Sequence, residues 1–424
     1  MGICASSKRV VQEQECDENV VYVMDEDCGG GAGEEEGDGH GASPAACRKV
    51  ASLFSQKGKK GPNQDAVILC QVPVTNCPLL LAAFCRSAPF VPTVLYNCLM
   101  CIVSDFLLQG FGMEDGVFCG VFDGHGRCGH FVSKLVRDCL PFMILSHRNA
   151  LLLADDDDSS AFSDASPSSS STDGSGGGSS PSPAPAQLLD EWRVACANAF
   201  DAMDRELKLQ ANLDCNFSGT TAVCAIKQGK DLIIANLGDS RAVLATMSDT
   251  GYLTAVPLTT DQKPSVPREA ERIKRCNGRV FALKDEPSVA RVWLPDEDCP
   301  GLAMARSLGD FRLKRHGVVS EPEVTHHRVG RGDLFIVLAT DGVWDVLSNE
   351  EVVSIVCATP RKQHASKAVA EAAAQRWRTK YPSSRVDDCS AACLFLRDQD
   401  WGSSIAPAKA KAAAAAARAP HGHC

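Results

Sequence analysis

The stretch "GVFCGVFDGHGRCGHF", residues 116–131, sets Asp123 and His125 at the end of an apolar, β-favouring run, where a strand hands polar side chains to a loop. One carboxylate cannot hold a catalytic divalent ion, because Mg²⁺ or Mn²⁺ takes about six oxygen ligands and a protein normally supplies several carboxylates. Further candidates stand beside other apolar runs. "NLGDSR" presents Asp239, "DLFIVLATDGVWD" presents Asp341 and Asp345, and "RVDDCSAACLFL" opens a strand with Asp387 and Asp388. "KKGPNQDAVIL" adds Asp65 near the first strand. A lone Asp-Gly is usually only a turn. Repeated next to several β-rich runs of one chain, the pattern points instead to a polynuclear metal site of oxygen donors.

Such a site needs strands to carry its ligands. "QDAVILC" and "GVFCGVFDG" read as strands, as do "GTTAVCAI", "DLIIANLGD" and "RAVLAT", whose short polar turns such as "KQGK" imply antiparallel pairing. Leu189, Trp192, Cys196, Ala199, Phe200, Met203 and Leu207 recur at helical steps, which predicts an amphipathic helix over 187–212 facing a sheet. "PREAERIKRCNG" has Pro at a helix start and Asn-Gly at its stop, and "SNEEVVSIVCA" opens on a Ser cap. The helix "HASKAVAEAAAQRWRTK" and the strand "CSAACLFL" follow. Antiparallel sheets with separate long helices make an α+β sandwich.

Composition narrows the class. With 424 residues and 44% hydrophobic content the chain can bury a large core, as one big domain or two. A formal net charge of −10 argues against a nucleic-acid binder, which needs a basic stripe. The 21 cysteines are odd in number and scattered, with no secretory signal before them, so they read as reduced thiols of a cytoplasmic protein. "MGICAS" fits the pattern for myristoylation at Gly2, with Cys4 placed for palmitoylation, and two acyl chains would give lasting peripheral attachment to the plasma membrane. A nuclear location is also compatible with the sequence.

Residues 10–47 carry eleven acidic side chains and no Lys or Arg, so the segment 1–47 is expected to be a disordered tether. Residues 154–186, rich in Ser, Gly, Pro and Asp, read as a flexible low-complexity loop, and 399–424 as an Ala-rich disordered tail.

The ordered series "KGPNQDA", "GVFDGHG", "SGTTAV", "NLGDSRAVL", "LAMARSLGD", "SEPEV", "LATDGVWDVLSNEEVV" and "DDCSAACL" resembles the metal-dependent serine/threonine phosphatases of type 2C, particularly the plant forms, over residues 48–398. The resemblance implies a β-sandwich of two antiparallel sheets flanked by helices, with a metal cleft at one end. It implies that Asp123 bridges two Mn²⁺ or Mg²⁺ ions and that Gly124 offers its carbonyl to one of them. Asp341 and Asp387 are the other implied ligands, with Asp65 acting through bound water. Asp239 and Asp345, with Asp341, match a weaker third site. Hydroxide held between the two ions would attack phosphorus in line, hydrolysing phosphoserine and phosphothreonine of phosphorylated proteins. His125 would then protonate the leaving alkoxide, directly or through water; the plainer role is a structural histidine that orders the loop.

Two departures from the family's pattern stand near Asp65. Lys60 occupies the place of an Arg that grips the substrate phosphate, and a point charge cannot make the planar two-pronged contact. Gln64 with Asp65 replaces an acidic pair.

A third departure is the apolar insertion 72–109 between the first two strands of the motif series. Its Pro89 and Pro92 and its position argue against a membrane helix, and "CLMC" lacks the second pair that zinc needs. Gln71-Val72 permits CAG then GT and Gln109-Gly110 permits CAG then G, so the 38 residues read as a retained intron. The leading expectation is a monomeric phosphatase acting on phosphoproteins, with kinases among its partners. The alternative is a phosphoprotein- or kinase-binding module weakened by the insertion.

Overall fold

The structure, a computed structural model, describes residues 19–23, 51–71, 116–160, 185–383 and 386–397. Residues 117–125, VFCGVFDGH, form a strand buried on both faces. Val117, Cys119 and Val121 pack with side chains of a second sheet, while Phe118 and Phe122 pack with Trp192, Phe200 and Met203 of a helix. Alternation of side chains across the pleat therefore serves two cores at once.

In chain order the main strands are β1 (Asn19–Val23), β2 (Ala51–Gln56), β3 (Asp65–Gln71), β4 (Val117–His125), β5 (Ala222–Gln228), β6 (Asp231–Leu237), β7 (Arg241–Met247), β8 (Leu253–Pro257), β9 (Glu323–Arg328), β10 (Asp333–Ala339) and β11 (Cys389–Phe395). The longer helices are α1 (Gly129–Ser160), α2 (Pro185–Leu209), α3 (Pro267–Arg275), α4 (Asn349–Ala358) and α5 (Ala365–Lys380). One sheet runs β1-β2-β11-β10-β7-β8; the other contains β4-β5-β6-β9, with β3 also paired to β4, and every pairing is antiparallel. Leu53, Val121, Val223, Ile234, Leu244 and Ile336 fill the space between the sheets. Helices α1 and α2 cover the outer face of one sheet, and α4 and α5 that of the other. This is the α+β sandwich expected from the sequence. Among the described residues no helix is long and apolar enough to cross a membrane.

The anticipated helix over 187–212 is α2, and its stripe from Trp192 to Leu207 is buried. Ser348 and Glu351 form a reciprocal capping box at the start of α4, with bonds of 2.9 and 3.2 Å. Several boundaries differ from expectation. "GTTAVCAI" is divided into Gly219–Thr220 and β5, because Thr221 turns its backbone to Asp123. The acidic segment is not wholly without structure: Asn19–Val23, four of whose five residues are Val or Tyr with high β propensity, adds an edge strand to β2. α1 continues to Ser160 and α2 begins at Pro185, since propagating an existing helix needs only one new bond per residue, and this narrows the expected loop to 161–184. That loop, the insertion 72–109, the tail 399–424 and the acylation positions Gly2 and Cys4 lie outside the described residues.

A small satellite was not foreseen. Strands Arg279–Ala282, Ala290–Trp293 and Pro300–Leu302 form a separate antiparallel sheet, which with α3 surrounds a core including Ile273, Val292, Leu302 and Leu313.

Candidate active site

Strand pairing brings the first two carboxylates together. Asp65 opens β3 directly opposite Asp123 near the end of β4. The backbone of Asp123 is held from the other side by Thr221, whose Oγ1 accepts from the Asp123 N–H at 3.1 Å and whose N–H donates to the Asp123 carbonyl at 2.9 Å. The Thr221 hydroxyl also meets Ser240 Oγ at 2.7 Å, tying Asp123 to the turn that carries Asp239. In the other sheet β10 ends at Ala339 just before Asp341, and β11 begins at Cys389 just after Asp387. The Thr340 N–H donates to Ser390 at 3.1 Å, and its hydroxyl donates to Asp65 Oδ2 at 3.0 Å, joining the two sheets at this end.

The carboxylates feel one another. Burial raises Asp123, and Asp65, Asp341, Asp387 and Asp239 raise it further. Asp341 is raised by burial and then by Asp387, Asp239 and Asp345. Asp65 is pushed up to about 8 by burial and by Asp388 and Asp387, against hydrogen bonds from Ser390 and Thr340. Several acids withdrawn from water beside one another favour protons or a bound cation over free negative charge. The donor atoms are all oxygen, the chemistry that suits Mg²⁺ or Mn²⁺, and Asp239 Oδ1 is buried with no hydrogen-bond partner. Among the described residues no group of three or more His, Cys, Asp or Glu side chains is already gathered as a ligand set. Donor type and charge fit divalent ions.

Gly124 is where the backbone comes closest. A Cβ there would lie 2.3 Å from the Gly129 carbonyl oxygen and 2.6 Å from that of Gln64, so only glycine fits, and the Gly124 N–H donates to Gln64 O at 3.1 Å. Lys60 is 54% exposed and pairs with Asp387. Burial works against its charge, but Asp387, Asp341 and Asp123 raise its pKa above the usual lysine range. Asp388 accepts from the Gly58 N–H at 2.6 Å and the Gln64 N–H at 2.8 Å, closing the loop that presents Lys60. The proposed third-site residues share a lysine: Lys263 Nζ stands 3.4 Å from Asp345 and 3.9 Å from Asp239. His125 Nε2 lies 2.6 Å from Asp310 Oδ2. Burial would lower its pKa, but the charge and hydrogen bond of Asp310, with Asp239, raise it.

Comparison with known proteins gives this arrangement a family. A model described as protein phosphatase 2C matches residues 182–381. The rice (Oryza sativa subsp. japonica) protein named "Probable protein phosphatase 2C 12" is 67% identical over 412 residues, covering 96% of this chain and 94% of its own. The chain belongs to the protein phosphatase 2C family. Members of this family are metal-dependent serine/threonine phosphatases. "Probable protein phosphatase 2C 6" of Arabidopsis thaliana is 42% identical over 371 residues, which are 87% of this chain and 67% of that protein. In fold the chain is similar to the serine-threonine phosphatase 2C from Toxoplasma gondii, with a TM-score of 0.59 at 23% identity, covering 82% and 94% of the two chains.

The structure brings Asp65, Asp123, Asp239, Asp341, Asp387, Gly124, Lys60 and His125 to one end of the sandwich, while the Asp345 side chain is 42% exposed at its margin. Three residues near this end of the fold drew no attention in the sequence: Thr221, Lys263 and Asp310. Asp310 does stand in the quoted "LAMARSLGD", and its aspartate in an apolar context is the one signal that could have marked it.

Proposed function

We propose that the protein hydrolyses phosphoserine and phosphothreonine on proteins by a two-ion mechanism. Carboxylates that reach one end of the sandwich from both sheets, raised by burial and then by one another, carry this reading. Asp123, the Gly124 carbonyl, Asp341 and Asp387 would hold two Mn²⁺ or Mg²⁺ ions, which supply a water deprotonated near neutral pH and balance the charge of the phosphoryl oxygens. Asp65, which accepts a bond from Thr340, would act on the ions through bound water. Lys60 exchanges its partner Asp387 for the substrate phosphate once that carboxylate is engaged. His125 delivers the proton to the leaving oxygen. Asp239 and Asp345, with Asp341, would hold a weaker third ion at the place where Lys263 now balances their charge.

All these carboxylates are present despite the insertion, which favours an active enzyme over a weakened binding module. Gly2 and Cys4 are proposed as acylation sites for peripheral membrane attachment. The test of the reaction is release of phosphate from a phosphothreonine peptide with Mn²⁺ or Mg²⁺. Activity that disappears in EDTA and returns with Mn²⁺ supports the proposal; full activity in excess chelator overturns it.

A further inference from the structure

Asp310 and His125 are 185 residues apart in the chain and meet inside the fold, Oδ2 to Nε2, at 2.6 Å. The carboxylate is 1% exposed, and its other oxygen has no hydrogen-bond partner. Asp310 also stands in the left-handed backbone region, φ 51° and ψ 43°, which disfavours a residue with a Cβ. It precedes the short helix Phe311–Lys314, yet its side chain makes no capping bond to that helix. A buried carboxylate on a strained backbone needs a compensating purpose, and helix capping is not it.

The surroundings hold Asp310 against the histidine. Ser307 Oγ donates to the same Oδ2 at 2.6 Å, and the Asp310 N–H donates to Ser218 O at 3.0 Å. Lys314 Nζ donates to Ser307 O at 2.8 Å and pairs with Asp204 at 3.1 Å, while the Gly309 N–H donates to Asp204 Oδ1 at 2.8 Å. Gly219 leaves room for the pair and for the neighbouring strand: a Cβ there would lie 2.4 Å from Asp310 Oδ2, 2.4 Å from the Leu308 carbonyl oxygen and 2.8 Å from His125 Nε2. His125 Nδ1 is buried and the ring's further interaction is with the backbone of Asp123, so Asp310 is the side chain that bonds the ring.

We infer that Asp310 is a positioning residue for His125, fixing the plane and the tautomer of the imidazole. The inference rests on the reading of His125 as the general acid. A histidine so held loses its advantage when the carboxylate is removed, but only for leaving groups that need a proton.

The experiment measures kcat and KM with Mn²⁺ on a phosphothreonine peptide and on p-nitrophenyl phosphate, whose leaving group needs little protonation. The proteins are wild type, Asp310→Asn, His125→Gln and the double variant. General acid catalysis contributes about 10²–10⁴-fold, so Asp310→Asn should lower kcat on the peptide by about 10-fold or more, with KM little changed and p-nitrophenyl phosphate slowed far less. The double variant should be no slower than His125→Gln, because two residues acting as one unit are not additive. Retained p-nitrophenyl phosphate hydrolysis shows in each case that the site is folded. Equal slowing of both substrates, or losses that multiply in the double variant, would overturn the positioning role. Should wild type with Mn²⁺ hydrolyse neither substrate, the phosphatase reading falls, and this inference with it.

Discussion

Glu269 in α3 is fully buried among three arginines: Arg306 reaches its oxygens at 2.7 and 3.0 Å, Arg272 at 2.6 Å and Arg268 at 3.3 Å. Asp65, Asp123 and Asp341 are also withdrawn from water, but acids surround them and the bonds to Asp65 come from hydroxyls. The pKa directions follow. Burial alone would raise Glu269, yet its bonds to Arg306 and Arg272 bring it below the usual glutamate range, whereas the aspartates rise. A carboxylate that serves only the fold is neutralised by the protein's own cations. Carboxylates left to repel one another store a demand for a charge from outside, which is what a metal centre requires.

The largest effect that tests this contrast is on activity. Asp123→Asn removes the group at the centre of the cluster and should lower Mn²⁺-dependent phosphopeptide hydrolysis by about 10³-fold or more, as loss of a residue belonging to a single catalytic unit does. Asp239→Asn, which touches only the third position, should lose much less. Equal losses in metal-saturated assays would dissolve the distinction.

Next in size is stability. Glu269→Gln removes the buried charge that the part-buried Arg306 and Arg272 share and should destabilise the fold by about 3 kcal/mol, read as a shifted denaturation midpoint. Asp123→Asn should have the opposite sign in EDTA, raising the midpoint by relieving repulsion. If both substitutions move the midpoint the same way, the two regions do not differ as argued.

The pH dependence sharpens the comparison further. Asp65 titrates near 8 in the fold against about 3.9 in an unfolded chain, so its contribution is full below about pH 4 and is lost as the pH rises through about 8. Metal-free wild type should therefore lose stability relative to Asp65→Asn between pH 5 and 8.5 in chemical denaturation. Glu269 is depressed, so its contribution is present above about pH 4.3 and is lost as the pH falls. The gap between wild type and Glu269→Gln should accordingly close towards acid pH.

The smallest effect concerns the insertion. Gln71 pairs with Val117, so the β3–β4 pair is intact on either side of residues 72–116. Deleting residues 72–109 leaves seven connecting residues, 110–116, and by loop-closure entropy should stabilise the fold by about 1.5 kcal/mol without changing the metal requirement. Unfolding of the deleted protein would show that the segment belongs to the fold.

The ends of α3 and the start of α4 were legible because local chemistry sets them. Ser348 and Glu351 cap α4 with bonds inside one turn, Pro267 opens α3, and Asn277 ends it at φ 62°. The satellite sheet was not legible: its strands are three or four residues long, too short for an alternating pattern to emerge. The break at Thr221 was likewise invisible, since it exists only because the Asp123 backbone arrives beside it.

Residue type and position relative to apolar runs therefore determined which carboxylates could form the site, because strand ends deliver polar groups to loops wherever the strands happen to lie. Only the tertiary structure decided what each acid faces. The register that sets Asp65 against Asp123, the arginines that enclose Glu269, and the meeting of Asp310 with His125 are contacts between distant segments. Electrostatic energy depends on distance and burial, and neither is a property of a residue and its chain neighbours alone.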